Sequence, residues 1–312
     1  MQLADETANY TVAGVTRRVP ETLAGLRLDK ALARMFPEHS RNRLQRWLKD
    51  GHVSLDSHAA KPKQKIWGGE RVEIRSQPGP ADTAFRAEPI ALEVVYEDDD
   101  VLVINKAAGL VVHPGSGNWK GTLLNALLHR APQLAAIPRA GIVHRLDKDT
   151  SGLLVVAKTL RAHSDLVRQL QARTVKRDDL ALVHGAVKLD GEVSAPVGRD
   201  PRRRTRMAVV AAGRPALTRF KVARRFARAT LLECSLATGR THQIRVHMQS
   251  LGHPLVGDPV YRGRRQDPRA PQLRRQALHA IRLGFLHPVS GALKRFSAPL
   301  PEDLRSLLDS LE

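Results

Sequence analysis

The chain of 312 residues is long enough for one large domain, or for a large domain with a smaller one. It holds 51 lysines and arginines against 31 acidic residues, a net charge of +20, and the excess is rich in arginine, which suits phosphate contacts. This favours nucleic acid as the partner over an anionic membrane, because no amphipathic basic helix with a lipid-facing aromatic edge is evident. No apolar run approaches the roughly 18 residues of a membrane span, and the first ten residues lack the features of a signal peptide. We therefore expect a cytoplasmic protein that has no membrane contact.

Metal and cofactor chemistry finds little support in the sequence. Cys234 is the only cysteine, so the chain can form neither an intrachain disulfide nor a cysteine-rich metal site. A catalytic thiolate is the functional alternative, but the apolar neighbours of Cys234 favour a small buried core residue. No histidine pair at metal spacing and no acidic cage is present, so we expect no metal site and no cofactor. The glycine-rich segment 109–117 lacks the spacing of a nucleotide phosphate loop.

The N-terminal part of the chain predicts a small helical unit. Residues 1–18 are polar and weakly patterned, which predicts a mobile tail. Apolar residues then recur at helical spacing in two stretches, the second with Ser40 as its expected N-cap and Gly51 as its stop. Short strand patterns follow at 53–55 and 72–74.

Basic residues cluster on one side of this unit. The exposed face of the second helix and the loop after it carry seven of them: Arg41, Arg43, Arg46, Lys49, Lys61, Lys63 and Lys65. A charge run is often only a solvated face, but acids are missing from the same surface, which favours RNA binding. The phrases RLDKAL and SRNRLQRWLKDGHV resemble the αL-type RNA-binding domain shared with a small-subunit ribosomal protein. We therefore expect such a domain at 19–76, and a Pro/Gly/Ala-rich linker at 77–90.

The remainder, residues 91–312, predicts a catalytic domain of α+β class. Short strand patterns recur with mixed connections, which favours a largely antiparallel mixed sheet. We expect strands at 92–96, 101–105, 153–157, 180–183, 207–210, 217–222 and 231–236, and helices at 122–128 and 161–173.

A polar run, 144–152, lies directly before the buried strand pattern 153–157. It offers an imidazole, a guanidinium, two carboxylates and two hydroxyls, among which Asp147 is a candidate nucleophile or acid–base group. The alternative is a solvated turn whose side chains only bond the backbone.

A second polar run, Thr238 to Arg245, opens a helix that we expect to begin near Thr241. Arg240, Thr241 and His242 would then surround its N-terminus, where backbone N–H groups favour an anion. The alternative is a capped helix with surface arginines. An arginine from this run is nevertheless placed to keep Asp147 ionised by direct pairing if both runs meet in one cleft.

The densest basic cluster, RDPRRRTRM, contains Arg202, Arg203, Arg204 and Arg206 with little acidic relief, which favours phosphate contact.

These motifs together carry a family resemblance. HRLDKDTSGLLVVAKT, with NKAAGLVVHPG before it and TGRTHQIRVHM after it, resembles the RluA-type pseudouridine synthases over about residues 20 to 305. PRAGIVHRLDKDTSGLLVVAKT, RTRMAV and LHPVSG are most similar to the branch that acts on large-subunit ribosomal RNA. The resemblance implies cofactor-free conversion of uridine to pseudouridine on ribosomal RNA or an assembly intermediate. We expect a monomer.

The resemblance also implies residue roles. Asp147 would be the essential carboxylate and Arg245 its ion-pair partner. Arg145 would hold the place of the displaced base or contact the backbone, and Lys106 would line the same cleft. The remaining motif residues, His144, Arg240 and His242, would support the site.

One departure from the family pattern concerns the K-x-Y-x-A segment, where Asp179 stands in place of a tyrosine thought to stack on the uracil and assist proton removal. An aspartate cannot stack, and a second carboxylate near Asp147 would raise one of the two pKa values. The expected consequence is impaired or altered activity with RNA binding kept. A catalytically weak RNA-binding or ribosome-assembly factor is therefore the alternative function. A smaller departure is Ala107, where the family usually has proline.

Overall fold

The structure, a computed structural model, describes residues 14–37, 39, 41–75, 85–115, 117–263 and 271–312. The chain divides into two compact units, one up to Thr83 and the other from Ala84. No helix among the described residues is long and apolar enough to cross a membrane.

The first unit contains two helices and a four-stranded antiparallel sheet. Its elements are β1 (Gly14–Arg18), α1 (Leu28–Met35), α2 (Arg41–Lys49), β2 (Val53–Leu55), β3 (His58–Ala59) and β4 (Arg71–Arg75), with the strand order β1-β4-β2-β3. The apolar faces of α1 and α2 supply its core, in which Leu28, Leu32 and Leu44 are fully buried. Gly51 adopts a left-handed φ of 77° just after α2, as expected of a helix stop.

The predicted tail is partly wrong, because residues 14–18 form β1. All five pair with β4 in antiparallel register, and Val15 packs against the core opposite Ile74. The pairing satisfies backbone groups that a polar sequence alone does not show to be bonded. Residues 1–13, the predicted cap Ser40, residue 76 at the end of the predicted domain and residues 77–84 of the predicted linker lie outside the described residues.

The second unit is built on one large sheet. Its helices are α3 (Leu123–Arg130), α4 (Leu160–Gln171), α5 (Gln243–Ser250) and α6 (Glu302–Asp309). Its strands are β5 (Glu93–Glu97), β6 (Val101–Lys106), β7 (Ser151–Ala157), β8 (Lys176–His184), β9 (Gly191–Ser194), β10 (Val197–Arg199), β11 (Met207–Val209), β12 (Leu217–Arg225), β13 (Ala229–Leu236), β14 (Leu278–Leu286) and β15 (Leu293–Ser297).

Nine of these strands form the sheet, in the order β5-β6-β7-β14-β8-β13-β12-β9, with β15 paired to β14. Among the described strands only β7 and β14 pair in parallel, so the expected α+β fold with a largely antiparallel mixed sheet is confirmed. β10 and β11 form a separate hairpin.

The central position of β7 explains its apolar sequence. All seven residues are buried, since Leu154 and Val156 pack on the α3 side of the sheet and Leu153 and Val155 on the α4 side. Gly152 is required at the parallel pairing with β14. Its φ is 114°, and a Cβ there would lie 2.3 Å from the carbonyl oxygen of Ala280.

β8 is longer than the predicted strand 180–183 because it begins at Lys176. Arg177 and Asp179 therefore lie on a central strand, and their side chains share one face since side chains alternate along a strand. This places both residues beside the loop that precedes β7.

Candidate active site

The loop before β7 is held at several points. Lys106, which is 1% exposed, donates from Nζ to the carbonyls of Ala107, Leu110 and Lys148 at 2.7, 2.9 and 2.9 Å. The N–H of Thr150 donates to the carbonyl of Asp147 at 3.1 Å. The loop is therefore a rigid support for the side chain of Asp147.

Two further side chains anchor the same loop. His144 Nε2 accepts from the N–H of Val155 at 3.1 Å, and burial, with a smaller effect of Arg177, lowers the pKa of His144 to about 3. Arg275 donates from Nη1 to the carbonyl of Asp149 at 3.1 Å. His144 is thus a neutral acceptor in the resting protein.

Asp147 is paired with a buried arginine. Arg245 Nη1 lies 3.0 Å from Asp147 Oδ2, and the side chain of Arg245 is only 5% exposed. On its other side, Arg245 donates from Nε and Nη2 to the two carboxylate oxygens of Asp258 at 2.7 and 2.9 Å. Asp258 also accepts from the N–H groups of Val260 and Tyr261. The carboxylates raise the pKa of Arg245 against the opposing effect of burial, so this guanidinium is a permanent charge.

The start of α5 differs from the expectation. The helix begins at Gln243, and His242 caps it in a left-handed conformation with φ 57°. His242 Nδ1 is 2.8 Å from the hydroxyl of Tyr261, and its Nε2 is 3.9 Å from Asp147 Oδ1. Burial lowers the pKa of His242, and Asp147 opposes that change. Arg240 donates from Nε to the carbonyl of Pro215. The segment therefore presents the side chains of His242 and Arg245 to Asp147, and no capping side-chain hydrogen bond is formed at the N-cap.

Asp258 and Tyr261 were not singled out from the sequence. Tyr261 is fully buried, and the guanidinium groups of Arg245 and Arg206 lie 5.0 and 5.1 Å from its ring centre. The N–H of Met207 donates to its hydroxyl. The sequence signal for Asp258 is that it is the lone carboxylate in the apolar phrase HPLVGDPVY. A charge buried in such a phrase requires a partner.

One cavity brings most of the predicted residues together. Its described lining includes His144, Arg145, Asp147, Arg177, Asp179, Arg240, His242 and Arg245. Lys106 is not part of that lining, so the expectation that it lines the cleft is wrong; it lies beneath the loop because its ammonium is saturated by three carbonyls. Arg145 is exposed at the cavity.

Asp179 is the second carboxylate of this cavity. It is 4% exposed, and burial, partly opposed by Arg177, raises its pKa to about 7. Asp147 and Asp178 contribute smaller increases through charge repulsion.

An arginine-lined cleft of about 880 Å³ shares five lining residues with the cavity: His144, Arg145, Arg177, Gly239 and Arg240. Six arginines line it: Arg139, Arg145, Arg173, Arg177, Arg214 and Arg240. No carboxylate is among its described lining residues. Burial and the nearby charges of Arg214 and Arg173 lower the pKa of Arg240. Crowded cations without a counter-charge favour an anionic ligand.

Most of the predicted RNA-binding residues are exposed, and some of them contact other described residues. Arg202, Arg203 and Arg204 are exposed on the turn between β10 and β11, whereas Arg206 is half-buried over Tyr261. In the first unit the following residues are exposed: Arg46, Lys49, Lys61, Lys63 and Lys65.

The other two basic residues of α2 have partners within the unit. Arg41 pairs at 3.5 Å with Asp29, a carboxylate that is 1% exposed, and Arg43 lies 5.0 Å from the ring centre of Trp47. A buried carboxylate, Asp29, therefore pairs with one basic residue of α2 without adding an acid to the exposed surface.

Comparison with known proteins defines the class of this molecule. The profile of the RNA pseudouridylate synthase family matches residues 100–250, and that of the S4 domain matches residues 26–72. A protein of Nitrosomonas europaea called ribosomal large subunit pseudouridine synthase D is 57% identical, with 94% of this chain and 86% of the relative covered. The chain therefore belongs to the RNA pseudouridine synthase family of isomerases, which confirms the resemblance read from its motifs.

Further relatives support this assignment. Proteins of the same name from Neisseria meningitidis serogroup A and Pseudomonas aeruginosa are 52% and 51% identical, over 99% and 94% of this chain and 83% and 94% of their own. The solved structure of human RNA pseudouridylate synthase domain containing 1 is 26% identical, with a TM-score of 0.54 over 76% of this chain and 97% of that one.

Proposed function

We propose that this protein isomerises uridines of large-subunit ribosomal RNA to pseudouridine, with Asp147 as the essential carboxylate. The observation that carries the proposal is the Asp147 side chain, 14% exposed in a cavity and paired with the buried Arg245. The names of the bacterial relatives, 51 to 57% identical to this chain, support the choice of RNA.

The chemistry suits a fixed carboxylate. In pseudouridine the sugar C1′ is bonded to C5 of uracil, so the N1–C1′ bond must break and a C1′–C5 bond must form. The reaction conserves every atom and involves no net oxidation. Asp147 is aimed at the cavity by the loop before β7, and Arg245 keeps its negative charge in place near the reacting sugar and base. A target uridine must leave its stack to reach such a site, and Arg145, exposed at the cavity, is placed to contact the vacated position or the backbone.

The RNA strand on either side of the target uridine would pass through the arginine-lined cleft, which opens beside the cavity. Its guanidinium groups match phosphate geometry, and they would release counterions on binding. Further phosphate contacts would come from the exposed arginines of the β10–β11 turn. The exposed basic residues of the first unit, which matches the S4 profile, would add others. We propose that the protein acts in the cytoplasm as a monomer, a state that analytical ultracentrifugation would test.

Pseudouridine mapping tests the proposal directly. Transcripts of large-subunit and small-subunit ribosomal RNA, and isolated large-subunit precursor particles, would be incubated with the wild-type protein and with Asp147→Asn. Modification of the large-subunit RNA by wild type alone is the expected result, and the particle arm identifies the preferred form of substrate. RNA that is bound but unmodified by both proteins would instead favour the RNA-binding or assembly factor.

A further inference from the structure

The second carboxylate of the cavity, Asp179, has no hydrogen-bonding partner among the residues that the structure describes. Asp179 lies on β8 between Cys234 of β13 and Ala280 of β14. It is 4% exposed, and among the described residues its carboxylate has neither a hydrogen bond nor an ion pair; only burial and charges at a distance act on it. Buried carboxylates are rarely left so, and one that lines a ligand cavity is available to a ligand.

The nearest charged residue on the same face of the strand also has a polar atom without a partner among the described residues. Arg177 lies two residues before Asp179 and lines the same cavity, and its Nε is buried without a hydrogen-bond partner among the described residues. Asp178, between them, is engaged elsewhere: it accepts from Ser235 Oγ at 2.6 Å and from Arg282 Nε at 3.2 Å. The cavity that holds the Asp147–Arg245 pair is thus also lined by a carboxylate without a hydrogen bond to the described residues and by a guanidinium whose buried Nε has none.

The two carboxylates of the cavity have opposite environments. Asp147 is bonded to a permanent cation, whereas Asp179 is surrounded by strands and has no such bond. Carboxyl pairs whose surroundings separate their proton affinities are commonly divided between two roles in one reaction. Asp147 is placed to act beside a fixed cation, and Asp179 to exchange a proton.

From this geometry we infer that Asp179 is a second catalytic residue, the group that accepts the proton from C5 of the uracil. The inference rests on the proposed function. Once C1′ is bonded to C5, that carbon also carries its original hydrogen and is tetrahedral. Transfer of this proton to the Asp179 carboxylate returns the electron pair of the C–H bond to the C5–C6 double bond. The electrons of the N1–C6 double bond pass to N1, which takes up a proton from water. The hydroxide that remains takes the proton from Asp179, which restores the carboxylate, so the product is pseudouridine and there is no net consumption of another reactant.

The rate should then depend on the ionisation of Asp179. The groups facing it are Arg177 on its own strand, Asp147 from the loop, Cys234 on β13 and, near the cavity wall, Arg282 on β14. Arg177 favours the charged form, whereas burial and Asp147 oppose it. With a pKa of about 7, Asp179 is mostly protonated at acidic pH and cannot accept a proton. Pseudouridine formation should therefore rise with pH across neutrality.

Single-turnover kinetics on ribosomal RNA transcripts made with ordinary or 5-deuterated uridine would test this role. Asp179→Asn should lower the rate by about a hundredfold, the typical contribution of a general base, while RNA affinity stays unchanged. A primary deuterium isotope effect should appear in this variant, since proton removal becomes limiting, and the rise in rate near neutral pH should disappear. Asp179→Glu should recover part of the rate. Asp178→Asn, which alters the neighbouring acid outside the cavity, is the matched control: it should keep the rise in rate with pH, moved to slightly lower pH, because Asp178 adds to the raised pKa of Asp179.

The outcomes separate the two proposals. If the wild type forms no pseudouridine, the proposed function is wrong. If wild type is active and Asp179→Asn is equally fast, only the role of Asp179 is refuted. A slow Asp179→Asn variant that shows no isotope effect and keeps the pH dependence would also refute it, because the loss would then be structural.

Discussion

Asp258 gives the sharpest test of how the site is built. Its side chain is fully buried and accepts four hydrogen bonds, two of them from Arg245. Asp258→Asn keeps the shape but removes the charge, which leaves the guanidinium with Asp147 as its remaining anion. Removing one partner of a buried ion pair costs about 3–5 kcal/mol. Asp147 still pairs with Arg245, and asparagine keeps one oxygen for the backbone N–H groups. We therefore expect a loss of about 3 kcal/mol in the free energy of unfolding.

Asp147→Asn is the matched variant, and its expected behaviour is different. Arg245 keeps both hydrogen bonds to Asp258. The side chain at position 147 is 14% exposed, so solvent can reach the guanidinium atom that loses its carboxylate partner. The free energy of unfolding should change by less than about 1 kcal/mol, as for other pairs that solvent reaches. Activity should nevertheless be lost completely. Asp258→Asn should lose both stability and activity, since Arg245 no longer holds Asp147 in position.

Urea unfolding followed by hydrogen exchange of β7 peptides would measure these differences in the large unit alone. The slope of unfolding free energy against urea should be the same for all three proteins, which shows that the same surface is exposed. Equal losses in Asp147→Asn and Asp258→Asn, or full stability of Asp258→Asn, would refute the assignment of Asp258 as the anchor of Arg245.

Three further predictions follow from the structure. Between pH 3.8 and about 7 the native state keeps a proton on Asp179 that the unfolded chain releases. The free energy of unfolding of the wild type therefore falls as pH rises through this window. Relative to wild type, Asp179→Asn should gain up to about 4 kcal/mol in the free energy of unfolding at pH 8 and nothing near pH 3. Lys106→Met leaves three carbonyls without their donor and should cost about 2–3 kcal/mol and slow pseudouridine formation by loosening the loop. Replacing Arg139 or Arg173 by glutamine should weaken RNA binding and reduce the salt slope by about 0.7–0.9 per arginine.

Each of these has a control. Thermal melts of Asp179→Asn and wild type across pH check the first, and a gain that is constant with pH would contradict it. For Lys106→Met, unchanged hydrogen exchange in the loop would show that the ammonium does not hold it. Arg305→Gln, which removes an exposed charge paired with Glu302 on α6, is the control for the cleft; an equal change in salt slope would mean that the cleft has no special part in binding.

Local patterns in the sequence determined several helices and strands of this protein and its family. Helical spacing of leucines located α1, α2 and α4, and the apolar run after the polar loop located β7, because periodicity reports which face of an element is buried. The motifs HRLD and RTHQIR identified the family and pointed to Asp147 and Arg245. The K-x-Y-x-A segment of the family pattern also located the departure at Asp179 from the sequence alone.

What the tertiary structure decided concerns contacts between distant residues. No local sequence periodicity relates the residues that make these contacts. Examples are the parallel pairing of β7 with β14, the ion pair of Asp258 with Arg245 and the place of Lys106 beneath the loop. Residues 14–18 illustrate the same limit, since a strand held by its partner has no strong pattern of its own. The environment of Asp179 was likewise open, because only the tertiary structure shows that neighbouring strands bury this carboxylate and thereby raise its pKa.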